Sequence, residues 1–390
     1  MTRRRFLLRL APGAGLLALC LLAPRLGAFQ LELPASLSDR EFWELSERMS
    51  EPNGVFQSDN LLSNETSLSS VAAALAGRVK PGGVYLGVGP EQNFTYIAAI
   101  RPRIAFINDI RRGNLHMHLM YKALFELSAD RAEFVSRLFT KKRPEGLTPA
   151  SSGADLMNAY WDILTSDEAT YRKNLQDIHD LLVKKHGLPL SKEDLDGVAT
   201  VYHAFYYYGP RISYGSSRGG PNISGVSYAD LMMTRDSVSG AERSYLASED
   251  SFAFLKMMHS RNLVVPLVGD FAGPKALRAV GAYVRERGAT ITAFYVSNVE
   301  SYLYRNGVWP NFCANVATFP LEESSVFIRP MGAMGATVMM TVTATSSGFP
   351  VRNPILIGGA VVTPNPISTP VPTGRGAPFG AMVAETAGCK

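Results

Sequence analysis

The chain is predicted to fold as an α/β protein on a doubly wound, mostly parallel sheet with helices on both faces, and two segments carry that prediction. Gly82 to Asp109, GGVYLGVGPEQNFTYIAAIRPRIAFIND, reads as strand, glycine turn, helix, strand and closing acid. Leu263 to Val296 repeats the pattern: an apolar run, a polar turn, a helix and a second apolar run. Strands alternating with helices in this way make parallel sheets through crossover connections, the Rossmann-like architecture. Between the two segments lies a block of three-to-four-residue apolar spacing, which predicts a helical insertion.

Residues 1–28 read as a leader rather than as part of the fold. Thr2-Arg-Arg-Arg-Phe-Leu-Leu-Arg9 has the twin-arginine pattern, Ala11 to Ala23 is apolar, and Leu26-Gly27-Ala28 offers a cleavage site. Export to the periplasm is the expectation. The apolar stretch is short for a spanning helix and is broken by Pro12, Gly13 and Gly15, although an uncleaved leader anchored in the inner membrane is the alternative. Cys20 suggests lipidation, but Leu19 stands where a small residue is needed. Five of the 39 Lys and Arg lie in this leader, leaving 34 against 34 Asp and Glu, so the formal charge of +5 belongs to the leader alone. With one short basic run, KKR at 141–143, read as a solvated loop, the charge pattern argues against a nucleic-acid partner.

Residues 29–80 form a helical lead-in, with Asp39 capping DREFWELSERM and a second helix over Ser67 to Val79. Between them, the polar run Phe56 to Glu65 either supplies turn and cap chemistry or folds over the carboxyl edge of the sheet as a lid, through Asn60, Asn64 and Glu65. Residues 81–129 are the first half of the α/β domain. Gly87-Val-Gly89-Pro90 makes the tight turn after the first strand, Pro90 suits a first helical turn, and Arg101-Pro102 ends the helix. Ile104 to Ile107 is the second strand, and Asp109 closes it 20 residues after Gly89, where such folds place a ribose-binding carboxylate. A dinucleotide fingerprint wants glycine where this chain has Gln92, which disfavours NAD and FAD.

At these residues the chain resembles the class I S-adenosylmethionine-dependent methyltransferase superfamily, over roughly residues 55–305 and mainly through VYLGVGP and AFIND. The resemblance implies S-adenosylmethionine as cofactor, with Gly87 and Gly89 passing under its methionine part and Asp109 on its ribose. Tyr85 replaces the acid usual two before the first glycine, and Glu91 replaces the usual third glycine, where its carboxylate is a substitute candidate for the cofactor's amino group.

Residues 130–200 are read as the helical insertion that shapes a substrate cavity. His116 and His118, two apart on a helix, point about 200° apart and are ordinary helix positions; His179 and His186 are taken as surface residues, and no metal site is expected. Residues 201–345 complete the α/β domain. Tyr206, in the crowded run Tyr202 to Tyr208, either walls a ligand pocket or packs in the core, and 215–225 reads as a loop. Asp270, with Phe271, follows the next strand and contacts either the adenosine end or the methyl acceptor. Asn298 and Glu300, after the strand Thr290 to Val296, are the candidates for acceptor binding and proton abstraction, or else a helix cap. Strands at 325–329 and 336–344 would add an antiparallel edge, and 358–390, rich in Pro, Gly, Thr and Ala, reads as a disordered tail. Only Cys313 and Cys389 lie beyond the leader, so no disulfide framework is expected.

Two functions remain. One is a methyltransferase acting on a small-molecule or envelope acceptor; the other is an exported non-catalytic binding or structural protein on a methyltransferase-like fold. No hydrolase elbow, P-loop or zinc-protease motif occurs.

Overall fold

A computed structural model of the chain describes residues 31–164, 166–218, 225–330 and 378–389. The leader, the strand expected at 336–344 and most of the expected tail lie outside the described residues. The fold is α/β. Its strands are β1 (Val84–Gly87), β2 (Ile104–Asp109), β3 (Val264–Val268), β4 (Ile291–Tyr295), β5 (Val326–Ile328) and β6 (Phe379–Ala381). They form one sheet in the order β3-β2-β1-β4-β5-β6, parallel throughout except for the antiparallel β5–β6 pair. Strands β1 to β5 are buried along their whole length. That is why they read as continuous apolar runs instead of alternating ones.

The strand after Leu263 is third and pairs with β2, whereas the strand after Thr290 is fourth and pairs with β1. Chain progression therefore reverses direction between β1 and β4, and a crevice opens above their carboxyl ends. The lead-in holds α1 (Asp39–Met49) and α2 (Leu68–Ala76). Ser38 caps α1, not Asp39, in a capping box closed by Glu41 at 2.8 Å. Helix α3 (Gln92–Ile100) connects β1 to β2, and α4 (Arg112–Leu127) follows β2.

The insertion contains α5 (Arg131–Phe139), α6 (Gly153–Trp161), α7 (Glu168–His179) and α8 (Lys192–Tyr208). Helix α8 packs on α4, where Asp194 accepts from Arg112 Nε at 2.6 Å and pairs with His116 at 2.8 Å. His186 is not at the surface: its side chain is buried between Asp39 at 2.7 Å and Glu126 at 2.9 Å. Lys141 of the basic run is likewise buried, donating to the Ile163 carbonyl. After α9 (Tyr228–Met232) and α10 (Glu249–Ser260), α11 (Ala276–Glu286) connects β3 to β4, and α12 (Val299–Arg305) and α13 (Trp309–Val316) connect β4 to β5.

The end of the expected tail is ordered. Strand β6 leads into α14 (Met382–Thr386), Met382 is fully buried, and Arg329 clasps Glu300 and Glu385. A disulfide joins Cys313 to Cys389 with Cα atoms 5.0 Å apart. The antiparallel edge thus comes from residues 379–381, and Cys313 and Cys389, for which no disulfide framework is expected from the sequence, are paired. Their separation of 76 residues hid the pairing, which only packing of the terminus against α13 creates.

Candidate functional site

The crevice above the sheet holds a cavity of about 210 Å³. Strands β1 to β4 deliver residues to it from their carboxyl ends: Gly89 after β1, Asp109 and Arg111 after β2, Asp270 and Phe271 after β3, Ser297 and Asn298 after β4. A strap, residues 51–65, runs across the same edge and adds Asn60, Asn64 and Glu65. Main-chain bonds hold the strap: Glu51 N to Val268 O at 2.7 Å and Gly54 N to Ile110 O at 2.8 Å. The Glu51 carboxylate also accepts from Lys275 N and Ala276 N at 2.7 and 2.8 Å, filling the uncapped start of α11.

Glu65 is the most enclosed acid lining the cavity's β1–β4 side. Its Oε1 accepts from Tyr295 Oη at 2.5 Å and Ser297 Oγ at 3.0 Å, and its Oε2 from Gln92 Nε2 at 2.9 Å. Burial pushes its pKa up, opposed by those donors, and none of the ion pairs among the described residues involves it. Asp109 is buried as well. Its Oδ1 accepts from Arg111 N at 2.9 Å, and burial raises its pKa against the pull of the Arg111 charge. Asp270 Oδ1 accepts from Ala272 N at 2.9 Å, while Phe271 is mostly core, stacked on Phe312. Asn298 stands at the N-cap of α12, just before its first residue, but its side chain makes no capping bond, so the capping alternative does not account for it. Asn60 (φ 46°) and Ser297 (φ 47°), both lining the cavity, hold left-handed backbone. Such strain collects at ligand sites.

Four of the expected site residues lie elsewhere. Gly87 is covered by Asn93, whose side chain lies where a Gly87 Cβ would project and is held by Tyr85 Oη at 2.8 Å and by the Val88 and Pro90 carbonyls. Its lack of a side chain serves packing. Gly89 differs: it has φ +75°, lines the cavity and has open space where a Cβ would go. Glu91, at the N-cap of α3, is fully buried, with Ser63 N at 3.5 Å and its own backbone N–H as donors and its pKa pushed up to about 8 by desolvation. Glu300 is neutralised by Arg329, at 2.5 and 2.8 Å. Tyr206 stacks on Tyr171, with ring centroids 4.4 Å apart, away from the cavity, and Tyr214 is the tyrosine of that region that reaches it. None of the inserted helices α5 to α8 lines the cavity, contrary to the expectation that they shape it.

Three contributors escaped the sequence reading. Tyr295 and Ser297 sit in an apolar strand end that shows no motif, and Arg111 stands two residues after Asp109, a position that could have drawn notice. Among the described residues, no group of three or more His, Cys, Asp or Glu is placed to hold a metal, and no helix is long and apolar enough to cross a membrane.

Fold and site together define an α/β protein with a polar cavity at the carboxyl edge of a mostly parallel sheet. The chain belongs to the family described as a domain of unknown function (DUF7790), whose model matches residues 61–154 and 212–349. The unmatched 155–211 between them hold most of α6 and all of α7 and α8. No curated protein matches the chain.

Proposed function

We propose that this chain is an S-adenosylmethionine-dependent methyltransferase on a doubly wound, Rossmann-like domain, acting on a small-molecule or envelope acceptor. The observation that carries the reading is the convergence of Gly89, Asp109, Asp270 and Asn298 on one cavity at the point where strand order reverses. Open space over Gly89 suits close approach of a ligand to the backbone, and the Asp109 carboxylate suits a ribose hydroxyl pair. The cavity is smaller than the roughly 300–1,000 Å³ usual for small-molecule sites.

The cofactor would supply an electrophilic methyl group. Glu65, held by Tyr295, Ser297 and Gln92, takes the proton released by an acceptor hydroxyl or amine, and Asn298 orients that acceptor. The disulfide supports the oxidising, exported location that the twin-arginine leader suggests, with the membrane met only through an uncleaved leader.

A second reading, an exported binding protein that has lost the cofactor, is favoured by Asn93 filling the space over Gly87 and by Glu91 turning away from the cavity. Calorimetric titration of the protein with S-adenosylmethionine and its demethylated product separates the two. Binding of both, abolished by Asp109→Ala, supports the cofactor site; absence of binding at high micromolar concentration removes it.

A further inference from the structure

We propose that the Arg111 side of the cavity is an oxyanion subsite, so that the small molecule accepted there carries a phosphate or carboxylate beside a hydroxyl. The proposal rests on the cavity being a nucleoside-type ligand site, as above, but not on methyl transfer.

Arg111 follows β2 and lines the cavity with a side chain only 9% exposed. One nitrogen, Nη1, donates to the Asp59 carbonyl of the strap. Nε lies 3.4 Å from Asp109 Oδ1 without the geometry of a hydrogen bond, and Nη2 is buried with no acceptor among the described residues. A guanidinium stays charged at any accessible pH and presents its N–H groups in a fixed fork that suits the paired oxygens of a phosphate or carboxylate. Buried donors are almost always satisfied, so the unpaired Nη2 edge of this guanidinium in a ligand cavity calls for an arriving acceptor.

The neighbouring charges permit one. The Asp59 carboxylate, 3.9 Å away, is 76% exposed and screened. Asp109 is the one buried acid paired with Arg111, and burial pushes it toward its neutral form. Across the cavity, Glu65 is engaged by three donors and Asp270 by Ala272 N. Arg111 also stands at the amino end of the 16-residue α4, whose dipole favours negative charge.

The adjacent strap residue supplies the complement. Asn60 Oδ1 is buried and has no donor among the described residues. An idle acceptor and a guanidinium with an unpaired Nη2 in one cavity fit a ligand with a hydroxyl next to its oxyanion. With Asp109 placed for a remaining ribose hydroxyl, a nucleoside phosphorylated on the ribose is the ligand chemistry these three lining groups suit.

The test is calorimetry on the full chain with adenosine, adenosine 2′-phosphate, inorganic phosphate and citrate, repeated on Arg111→Gln and Arg111→Lys. Adenosine 2′-phosphate should bind about tenfold to a hundredfold tighter than adenosine, as a charge-assisted hydrogen bond allows. Arg111→Gln should erase that advantage and Arg111→Lys keep part of it. Equal affinity for the two nucleosides would overturn the subsite while leaving the nucleoside reading intact. If neither nucleoside binds but phosphate or citrate does so only with Arg111 present, the subsite stands and the nucleoside reading falls. Anion binding unaffected by Arg111→Gln, or none at all, also overturns the subsite. Should both variants unfold, the wild-type comparison of the two nucleosides decides alone.

Discussion

Glu91→Gln should stabilise the protein increasingly as pH rises, because Glu91 is an acid that the fold keeps neutral. Desolvation lifts its pKa from 4.5 to about 8, while the unfolded chain ionises it at the ordinary value. Below 4.5 both states are protonated and the group is neutral in its effect. Between 4.5 and about 8 the unfolded state has released a proton that the folded state still holds, so stability falls with rising pH across that window. One pH unit corresponds to about 1.4 kcal/mol, so between about pH 5 and about pH 7.5 wild type should lose roughly 3 kcal/mol relative to Glu91→Gln. The glutamine retains an oxygen for Ser63 N and does not titrate. Urea unfolding of both proteins, followed by tryptophan fluorescence at the two pH values, measures this difference of differences, in which the other titrating groups cancel. A wild-type-minus-variant gap that is the same at both pH values would refute the reasoning. Because Glu91 is turned away from the cavity, ligand binding should be unchanged.

Four further outcomes are expected. Gly87→Ala must displace Asn93 from its bonds to Tyr85 and to two carbonyls and should cost about 3 kcal/mol or more. Gly89→Ala, with open space and only its left-handed backbone to strain, should cost about 1–2 kcal/mol, so the two should separate clearly in chemical denaturation. Replacing Cys313 and Cys389 together by serine should remove about 2–4 kcal/mol, and dithiothreitol should lower the Tm of wild type but not of the variant. Arg329→Ala leaves Glu300 and Glu385 enclosed without their cation and should cost about 3 kcal/mol, with faster proteolysis of residues 378–389 as the local signature.

The local plan of this protein is written in its sequence. Apolar runs of four to six residues mark β1 to β4, the first three closed by glycine or acid, and the helix DREFWELSERM is legible although its cap is Ser38 and not Asp39, because strand burial and helix periodicity depend on neighbours in the chain. The placement of Gly89, Asp109, Asp270 and Asn298 at strand ends follows from the same pattern. What required the fold were pairings across long separations: β6 with β5, Cys313 with Cys389, and Glu65 with Tyr295, 230 residues apart. Side-chain direction was also decided there. Asn93 turns Gly87 into a packing position, Arg329 neutralises Glu300, and α3 carries Glu91 into the core, because a residue's charge and spacing say nothing of which neighbour packing will set against it. The sequence alone determined an α/β chain whose strand ends carry polar groups; tertiary packing decided which of those groups face a common cavity, since that depends on strand order and on the strap that crosses it.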